Sequence, residues 1–267
     1  MYSENTLPVK LLAVLIALFI AAPMFVVIPM SFSTAPSLEF PPPGYWLGYY
    51  ERFFTDRNWT LPLFNSIVIG LGTTVLTLVL AAPAAFALVR HDFRGKALLN
   101  LALMMPLVVP HIVMALAYYS YFGMLRLVQS YTGLILAHTC LSMPVAILIL
   151  TAALKTFDRN LERAAANLGS RPLTTFRLIT LPVLKPAFLV AGLFVFIHSF
   201  DETVIALFIS GRDTTTLPRQ MFNSFLMQAD PVLSAASSVL FTAVLIAVAV
   251  PAVVRAVRGK RAVSPRS

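Results

Sequence analysis

Long apolar runs alternate with short polar segments along the whole of this 267-residue chain. A helix needs about 20 predominantly apolar residues to cross the ~30 Å hydrocarbon core of a bilayer. Six runs reach that length, so the pattern predicts an all-α, polytopic membrane protein with six transmembrane helices. The predicted spans are 9–30, 63–89, 97–121, 132–154, 183–205 and 232–254.

The boundary between the third and fourth predicted spans carries only a weak polar signal. Residue types that favour turns nevertheless collect there, so we expect the chain to reverse at this point. These residues are Gly123, Arg126, Gln129, Ser130 and Gly133.

Composition agrees with a membrane protein and argues against a nucleic-acid-binding one. The chain is 58% hydrophobic, its mean hydropathy is +0.83, and 12% of its residues are charged. That charged fraction is about half of what a soluble domain carries. The net charge is +9, but the basic residues lie in short loops between apolar runs and form no phosphate-binding patch. We therefore expect lipid, not nucleic acid, around the chain. Cys140 lies within an apolar run and is expected to pack as a small apolar side chain.

The distribution of Lys and Arg predicts the orientation, because cytoplasmic loops carry the excess of basic residues. With a cytoplasmic amino terminus, five basic residues fall outside and the other 15 of the 20 fall inside. Both termini and the loop 155–182 are therefore predicted to be cytoplasmic. The five outer residues are Arg52, Arg57, Arg126, Arg212 and Arg219.

The loop 155–182 is too long and too regular for a simple connection. A stripe at the helical spacing i, i+3, i+4, i+7 predicts a short helix. Its members are Leu161, Ala164, Ala165 and Leu168. Gly169 follows the stripe, where a left-handed helix stop costs least. Ser170 is expected to cap a second helix, with Pro172 in its first turn and Pro182 at its end.

Two interpretations of this loop follow from its residues. It is either an amphipathic helix lying on the lipid surface or a docking element for another protein. The alanine-rich stripe offers little apolar area to lipid, which favours a protein partner.

The spacing within this loop resembles the permease subunits of ABC importers. The family pattern is Glu-Ala-Ala, three residues, Gly, nine residues, Ile-x-Leu-Pro. This chain matches it except that Arg163 replaces the glutamate and Glu162 lies one residue earlier. The resemblance implies that the loop is a coupling helix seated in a cleft of the ATPase subunit. The residues it assigns to this role are Glu162, Arg163, Ala164, Ala165, Leu168, Gly169, Ser170, Ile179, Leu181 and Pro182.

Other stretches extend the resemblance over about 65–225. They include NSIVIG at 65–70, AAFALVRHDFRGK at 84–96 and MMPLVVPHIVMALA at 104–117. The stretch SFDETVIALFISGRDTTTLPRQMFNS at 199–224 resembles spermidine/putrescine-type permeases in particular.

The resemblance implies a type I ABC importer permease fold in a bacterial inner membrane. Its expected partners are ABC ATPase subunits, a second and paralogous permease, and an extracytoplasmic solute-binding protein. We predict an N-terminal helix with an outer loop in 1–60, the permease core in 61–254, and a basic tail in 255–267.

Nothing in the sequence indicates an ATP site, a metal site, a catalytic site or a cofactor. The Gly-Lys pairs at 95–96 and 259–260 lack the rest of a phosphate-binding loop. The four histidines lie on different segments and no catalytic pattern surrounds them. ATP hydrolysis is therefore expected to belong to a separate subunit.

An acidic pair closes the fifth predicted span. Asp201 lies about 27 Å along that helix at ~1.5 Å per residue, near the outer mouth. With His198, the pair Asp201 and Glu202 is a candidate for the substrate pathway. Adjacent side chains point about 100° apart, so one of the two carboxylates is expected to face a central pathway. A solvated pair, or one bound to the outer loop, is an equally open interpretation.

These patterns predict the permease subunit of an ATP-driven importer for a polyamine or related organic amine. Opines, amino-acid derivatives, phosphonates and ferric iron remain open as solutes. The alternative class is an ion-coupled secondary transporter, which predicts inverted repeats or interrupted helices with intramembrane charges. The sequence shows no clear repeat.

Overall fold

The computed structural model describes residues 7–227 and 230–246, which form helices and connecting segments without a strand. The prediction of an all-α chain is confirmed. The helices are α1 (Leu7–Ser31), α2 (Gly48–Thr55), α3 (Arg57–Arg90), α4 (Lys96–Met104), α5 (His111–Met124), α6 (Tyr131–Thr156), α7 (Asn160–Asn167), α8 (Pro172–Thr175), α9 (Leu181–Phe200), α10 (Val204–Ile209), α11 (Leu217–Met227) and α12 (Val232–Ile246).

Four helices in the described part of the chain are long and apolar enough to cross a membrane. They are α1, α3, α6 and the continuous helix Pro172–Phe200, which contains α8 and α9. They correspond to the first, second, fourth and fifth predicted spans. The fifth span ends at Phe200, because the helix is interrupted at residues 201–203 before α10 begins.

The third predicted span is not one straight helix. α4 passes into a 3-10 turn at Met105–Leu107, and α5 then starts at His111 with a change of direction of 102°. Pro106 and Pro110 explain the break, because proline has no N–H to donate and disfavours a helical residue before it. Counted as one bent crossing, α4 and α5 raise the number of spans to five.

The prediction of six spans is therefore not confirmed. The sixth predicted span, 232–254, begins with α12, and its part beyond Ile246 lies outside the described residues.

The reversal between α5 and α6 is confirmed. Arg126 and Gln129 have φ angles of 54° and 62°, and the Ser130 hydroxyl accepts a hydrogen bond from the Gly133 N–H at 3.0 Å to cap α6. A β-carbon on Gly133 would lie 2.1 Å from the Leu127 carbonyl oxygen, so only glycine fits there. This turn separates α5 from α6.

The contacts divide the chain into two units, one of residues 1–60 with 223–267 and one of residues 61–222. In the described part of the first, the side chains of Phe53 and Trp59 are buried and Arg52 lies 3.7 Å from Asp230. In the second, α6 packs along α9 through small and branched residues. That core includes Ala81, Ala85, Ala146, Leu150, Ala191 and Val195.

Cys140 is a correction to the sequence-based packing prediction. It is exposed on the surface of α6, because no described residue covers the face of the helix that carries it. The buried face of α6 carries Ala137, His138 and Leu141 instead.

Candidate functional site

The loop 155–182 contains the predicted helix and glycine turn. Gly169 has a φ angle of 79°, and its N–H donates to the Ala166 carbonyl at 2.9 Å. The Ser170 N–H donates to the Ala165 carbonyl at 3.0 Å. This pair of bonds is a Schellman motif, which satisfies the last carbonyls of α7 and requires a left-handed residue at Gly169.

The predicted cap of the second helix is wrong. The N-cap residue of α8 is Arg171, whose backbone is extended because it precedes Pro172. The Ser170 hydroxyl instead accepts a hydrogen bond from the Thr175 hydroxyl at 3.0 Å.

The second helix also continues past its predicted end. A π-helical turn at Phe176–Thr180 leads directly into α9, with Pro182 in its first turn. The wider turn accommodates a proline that has no N–H for a regular helical bond.

Glu162 faces the body of the chain and is held by two other segments. Its carboxylate contacts the two terminal nitrogens of Arg90, the last residue of α3, at 2.6 and 3.2 Å. The Thr180 hydroxyl donates to the same carboxylate at 2.6 Å. We call Arg90, Glu162 and Thr180 the anchor cluster. It ties α7 to the end of α3 and to the turn that precedes α9.

Arg90 is almost fully buried, with 7% of its side chain exposed. Its guanidinium lies 5.7 Å from the ring centre of Phe86 and 5.4 Å from that of Phe157. The two rings shield the guanidinium side of the ion pair from water, whereas 25% of the Glu162 side chain stays exposed. Sequence reasoning missed Arg90 and Thr180, since no local signal links residues so far apart in the chain.

The predicted stripe of α7 does not form a single buried face. Ala165 is buried, whereas Arg163, Ala164 and Leu168 are exposed, and Leu168 has 89% of its surface accessible. α7 therefore has one side fixed to the chain through Glu162 and Ala165 and one side available for contact. Ile179 packs against the core, Leu181 is exposed, and Pro182 is exposed at the start of α9.

The structure brings His198, Asp201 and Glu202 together around a cavity of about 480 Å³. His111, at the start of α5, completes the polar wall of this cavity. The rings of His111 and His198 lie 6.3 Å apart in an edge-to-face arrangement. His111 was not assigned to the pathway from sequence, because its position depends on the bend between α4 and α5.

The two adjacent carboxylates have different environments. Glu202 has 5% of its side chain exposed; one oxygen lies 3.2 Å from His111 Nδ1 and the other accepts the Ile205 N–H at 3.0 Å. Asp201 is exposed to the cavity, and among the described residues no hydrogen bond or ion pair engages its carboxylate. Glu202 therefore supports the start of α10, and Asp201 is free to meet a ligand.

Histidines also join α6 to α9. His138 Nδ1 lies 2.8 Å from the Ser199 hydroxyl, and His198 Nδ1 lies 3.2 Å from the Ser142 hydroxyl. His198 thus combines a packing contact with a position in the cavity wall.

A buried asparagine holds the segment between α10 and α11. The Asn65 amide donates to the carbonyls of Asp213 and Thr215, both at 2.9 Å, and its oxygen accepts from the Tyr131 hydroxyl at 2.5 Å. Next to it, the Leu217 N–H donates to the Ser66 hydroxyl at 2.8 Å. These bonds fix residues 210–216 against α3 and α6.

Comparison with known proteins agrees with this architecture. Residues 77–259 match the family described as the binding-protein-dependent transport system inner membrane component. A bacterial ABC transporter involved in the import of the acidic polysaccharide alginate has a similar fold. Its crystal structure aligns with a TM-score of 0.71 and 16% identity, over 96% of this chain and 98% of that chain.

Curated relatives are similar over most of their length. The putrescine transport system permease protein PotI of Escherichia coli strain K12 is 30% identical over 237 residues, which cover 85% of this chain and 83% of PotI. The spermidine/putrescine permease protein PotC of Haemophilus influenzae is 28% identical over 197 residues, covering 74% and 77%. The sulfoquinovosyl glycerol permease protein SmoH of Agrobacterium fabrum is 32% identical over 193 residues, covering 71% and 68%.

Together, the family match, the relatives and the helical fold confirm the resemblance to ABC importer permeases and the predicted type I permease fold. The chain belongs to the family of binding-protein-dependent transport system inner membrane components, and is a multi-pass permease subunit of an ABC importer.

Proposed function

We propose that this chain forms half of the pathway by which an ATP-driven importer moves a polyamine or related organic amine across the inner membrane. The observation that carries the proposal is the free carboxylate of Asp201 in the cavity beside His198. An ammonium group loses part of its water when it enters a pathway through the membrane. A charge-assisted hydrogen bond to a carboxylate replaces some of that water. Two of the relatives are named for putrescine or spermidine transport, which supports the same cargo.

A sugar derivative is the second candidate cargo. SmoH is named for sulfoquinovosyl glycerol transport, and its identity to this chain is similar to that of PotI. A neutral polyol would use the hydrogen-bonding groups of His111 and His198 more than the charge of Asp201. Family membership argues against an ion-coupled secondary transporter, which was the alternative class considered from the sequence.

We further propose that the loop 155–182 is the coupling loop and that ATPase subunits bind it. Its support is the exposed side of α7, combined with the anchor cluster that connects the other side to α3 and α9. In this arrangement the loop and both termini are cytoplasmic. A second permease supplies the other wall of the pathway, and a solute-binding protein delivers cargo from the outside. The same proposal includes the division of the chain into an N-terminal helix with an outer loop (1–60), the permease core (61–254) and a basic tail (255–267).

Transport by the complete importer tests the cargo. The permease, its ATPase, second permease and binding protein are reconstituted in proteoliposomes, and uptake of labelled putrescine is compared with uptake of labelled sulfoquinovosyl glycerol. We expect saturable, ATP-dependent uptake of putrescine and none of sulfoquinovosyl glycerol. Uptake of the sugar without the amine would refute the polyamine assignment and favour the second candidate.

A further inference from the structure

The exposed side of α7 carries a small set of side chains that nothing in the described chain covers. Successive helical residues turn by about 100°, so the partly buried Glu162 and the buried Ala165 on one side place their neighbours on the other. We call the exposed residues Arg163, Ala164, Asn167 and Leu168 the docking face. It combines one basic group, one long apolar group and a small residue that permits close approach.

The surface around the docking face is strongly basic. The exposed charged residues of the loop 155–182 include one acidic residue, Asp158, whose carboxylate accepts the Asn160 N–H at 2.9 Å. The charge of Glu162 is neutralised within the anchor cluster by Arg90. The exposed basic residues are Lys155, Arg159, Arg163, Arg171 and Arg177. A partner that covers this surface without acidic groups would remove water from these positive charges and supply no opposite charge, at an energetic cost.

We infer that the docking face fits an acidic cleft on the ATPase subunit, in which Arg163 forms the central ion pair and Leu168 enters an adjoining apolar pocket. This inference rests on the proposed coupling function and adds the chemistry of the partner surface. The position that holds glutamate in the family pattern is Arg163 here, so the charge expected of the partner at this point is also reversed.

A lipid surface fits the docking face less well than a protein cleft. α7 has eight residues, which is a length of about 12 Å. Helices that bind at a membrane interface bury a broad apolar face below the headgroups. The docking face offers Leu168 and Ala164 beside the polar Asn167, whereas a shaped protein cleft can match such a small mixed surface.

Salt-dependent association of the assembled importer tests the inference. The complete importer is placed in nanodiscs of phosphatidylcholine, and dissociation of its ATPase is measured at increasing KCl concentrations. We expect Arg163→Glu to weaken association about tenfold or more, and Arg163→Gln to weaken it less and to flatten the salt dependence. Arg94→Glu, an exposed charge reversal in the connection between α3 and α4, is the matched control and should leave association unchanged.

Three outcomes would contradict the inference. Unchanged or tighter association of Arg163→Glu would show that the cleft is not acidic. An effect of Arg163→Glu that appears only in nanodiscs containing phosphatidylglycerol would assign the basic surface to anionic lipid. If lysine substitutions of acidic ATPase residues never restore association of Arg163→Glu, the proposed ion pair does not exist.

A labelling experiment separates this inference from the proposed coupling role. Leu168→Cys is introduced with Cys140→Ala, and its reaction with maleimide is compared with and without bound ATPase. Protection by the ATPase supports docking of the loop. Full labelling in the assembled importer would overturn the coupling role itself. Protection combined with a neutral effect of Arg163→Glu would overturn only the acidic cleft.

Discussion

Arg90 and Glu162 form a two-contact ion pair at 2.6 and 3.2 Å, although 72 residues separate them in the chain. The Thr180 hydroxyl binds the same carboxylate, so the end of α3, α7 and the start of the α9 segment meet at one charged group. A displacement of α7 by a bound ATPase would therefore act directly on two helices of the permease. Arg90 and Thr180 are positioning residues in this scheme.

Glu162→Gln should uncouple transport from ATP hydrolysis. The amide keeps the shape of the side chain but leaves Arg90, 7% exposed, without its counter-ion, and losing a hydrogen bond between charged groups in this way costs about 1.5–3 kcal/mol. The measurement is cargo transported per ATP hydrolysed by the reconstituted importer, which a merely structural role would not change. Asp158→Asn, in the same loop and exposed, is the control. A normal ratio in Glu162→Gln would exclude the anchor cluster from coupling.

Gly169→Ala should destabilise the turn after α7. A β-carbon at Gly169 meets nothing within 4 Å, so the cost comes from its φ angle of 79° and amounts to about 1–2 kcal/mol. The readout is uptake together with thermal stability of the assembled importer. Gly123→Ala is the matched control, because a β-carbon there also meets nothing within 4 Å and its φ is not positive. Equal effects of the two substitutions would show that the left-handed turn is not required.

Asp201→Asn and Glu202→Gln should impair the permease in different ways: the first should lower uptake affinity, and the second should lower the amount of folded protein. Asp201→Asn removes a charge that no hydrogen bond or ion pair engages among the described residues, so uptake affinity for a cationic amine should fall about tenfold to a hundredfold at normal abundance. Glu202→Gln replaces the buried carboxylate that contacts His111 Nδ1 and accepts the Ile205 N–H, so the amount of folded permease should fall. Uptake is measured per assembled complex. Wild-type uptake by Asp201→Asn would remove this residue from the pathway.

Asn65→Ala should lower the stability of the permease. The substitution removes the Asn65 partner of the Asp213 and Thr215 carbonyls and of the Tyr131 hydroxyl, and each of these partly buried hydrogen bonds contributes about 0.5–1.5 kcal/mol. We expect a lower Tm in detergent and faster proteolysis between α10 and α11. Asn58→Ala, also on α3 but exposed, should behave as wild type. Equal stability of the two variants would contradict the role assigned to Asn65.

Labelling in whole cells tests the proposed orientation. Cys140 is exposed, so Cys140→Ala provides the background. In that background Leu173→Cys should resist an impermeant thiol reagent in intact cells and react in inverted vesicles. Arg126→Cys, between α5 and α6, should show the opposite pattern. Reaction of Leu173→Cys in intact cells would reverse the topology.

The sequence alone determined the helical class, four of the spans and the turn at Gly169. Each of these features depends on short-range physics. A segment in lipid must satisfy its backbone hydrogen bonds internally, so a long apolar run becomes a helix wherever it lies in the chain. A left-handed turn likewise depends on the residue that occupies it. The spacing of the loop motif was sufficient to indicate the family, because it reflects one local helix–turn–helix.

The tertiary structure alone decided what the charged and polar residues contact. Glu162 is held in place because Arg90 arrives from a distant helix, and Glu202 is distinguished from Asp201 by His111, whose position follows from the bend at Pro106 and Pro110. The hydropathy pattern also predicted one continuous span where the structure has two helices joined by that bend. The contacts of Asn65 join residues about 150 positions apart. Such pairings depend on how whole helices pack against one another. The local sequence around a residue therefore does not predict which distant group it will contact.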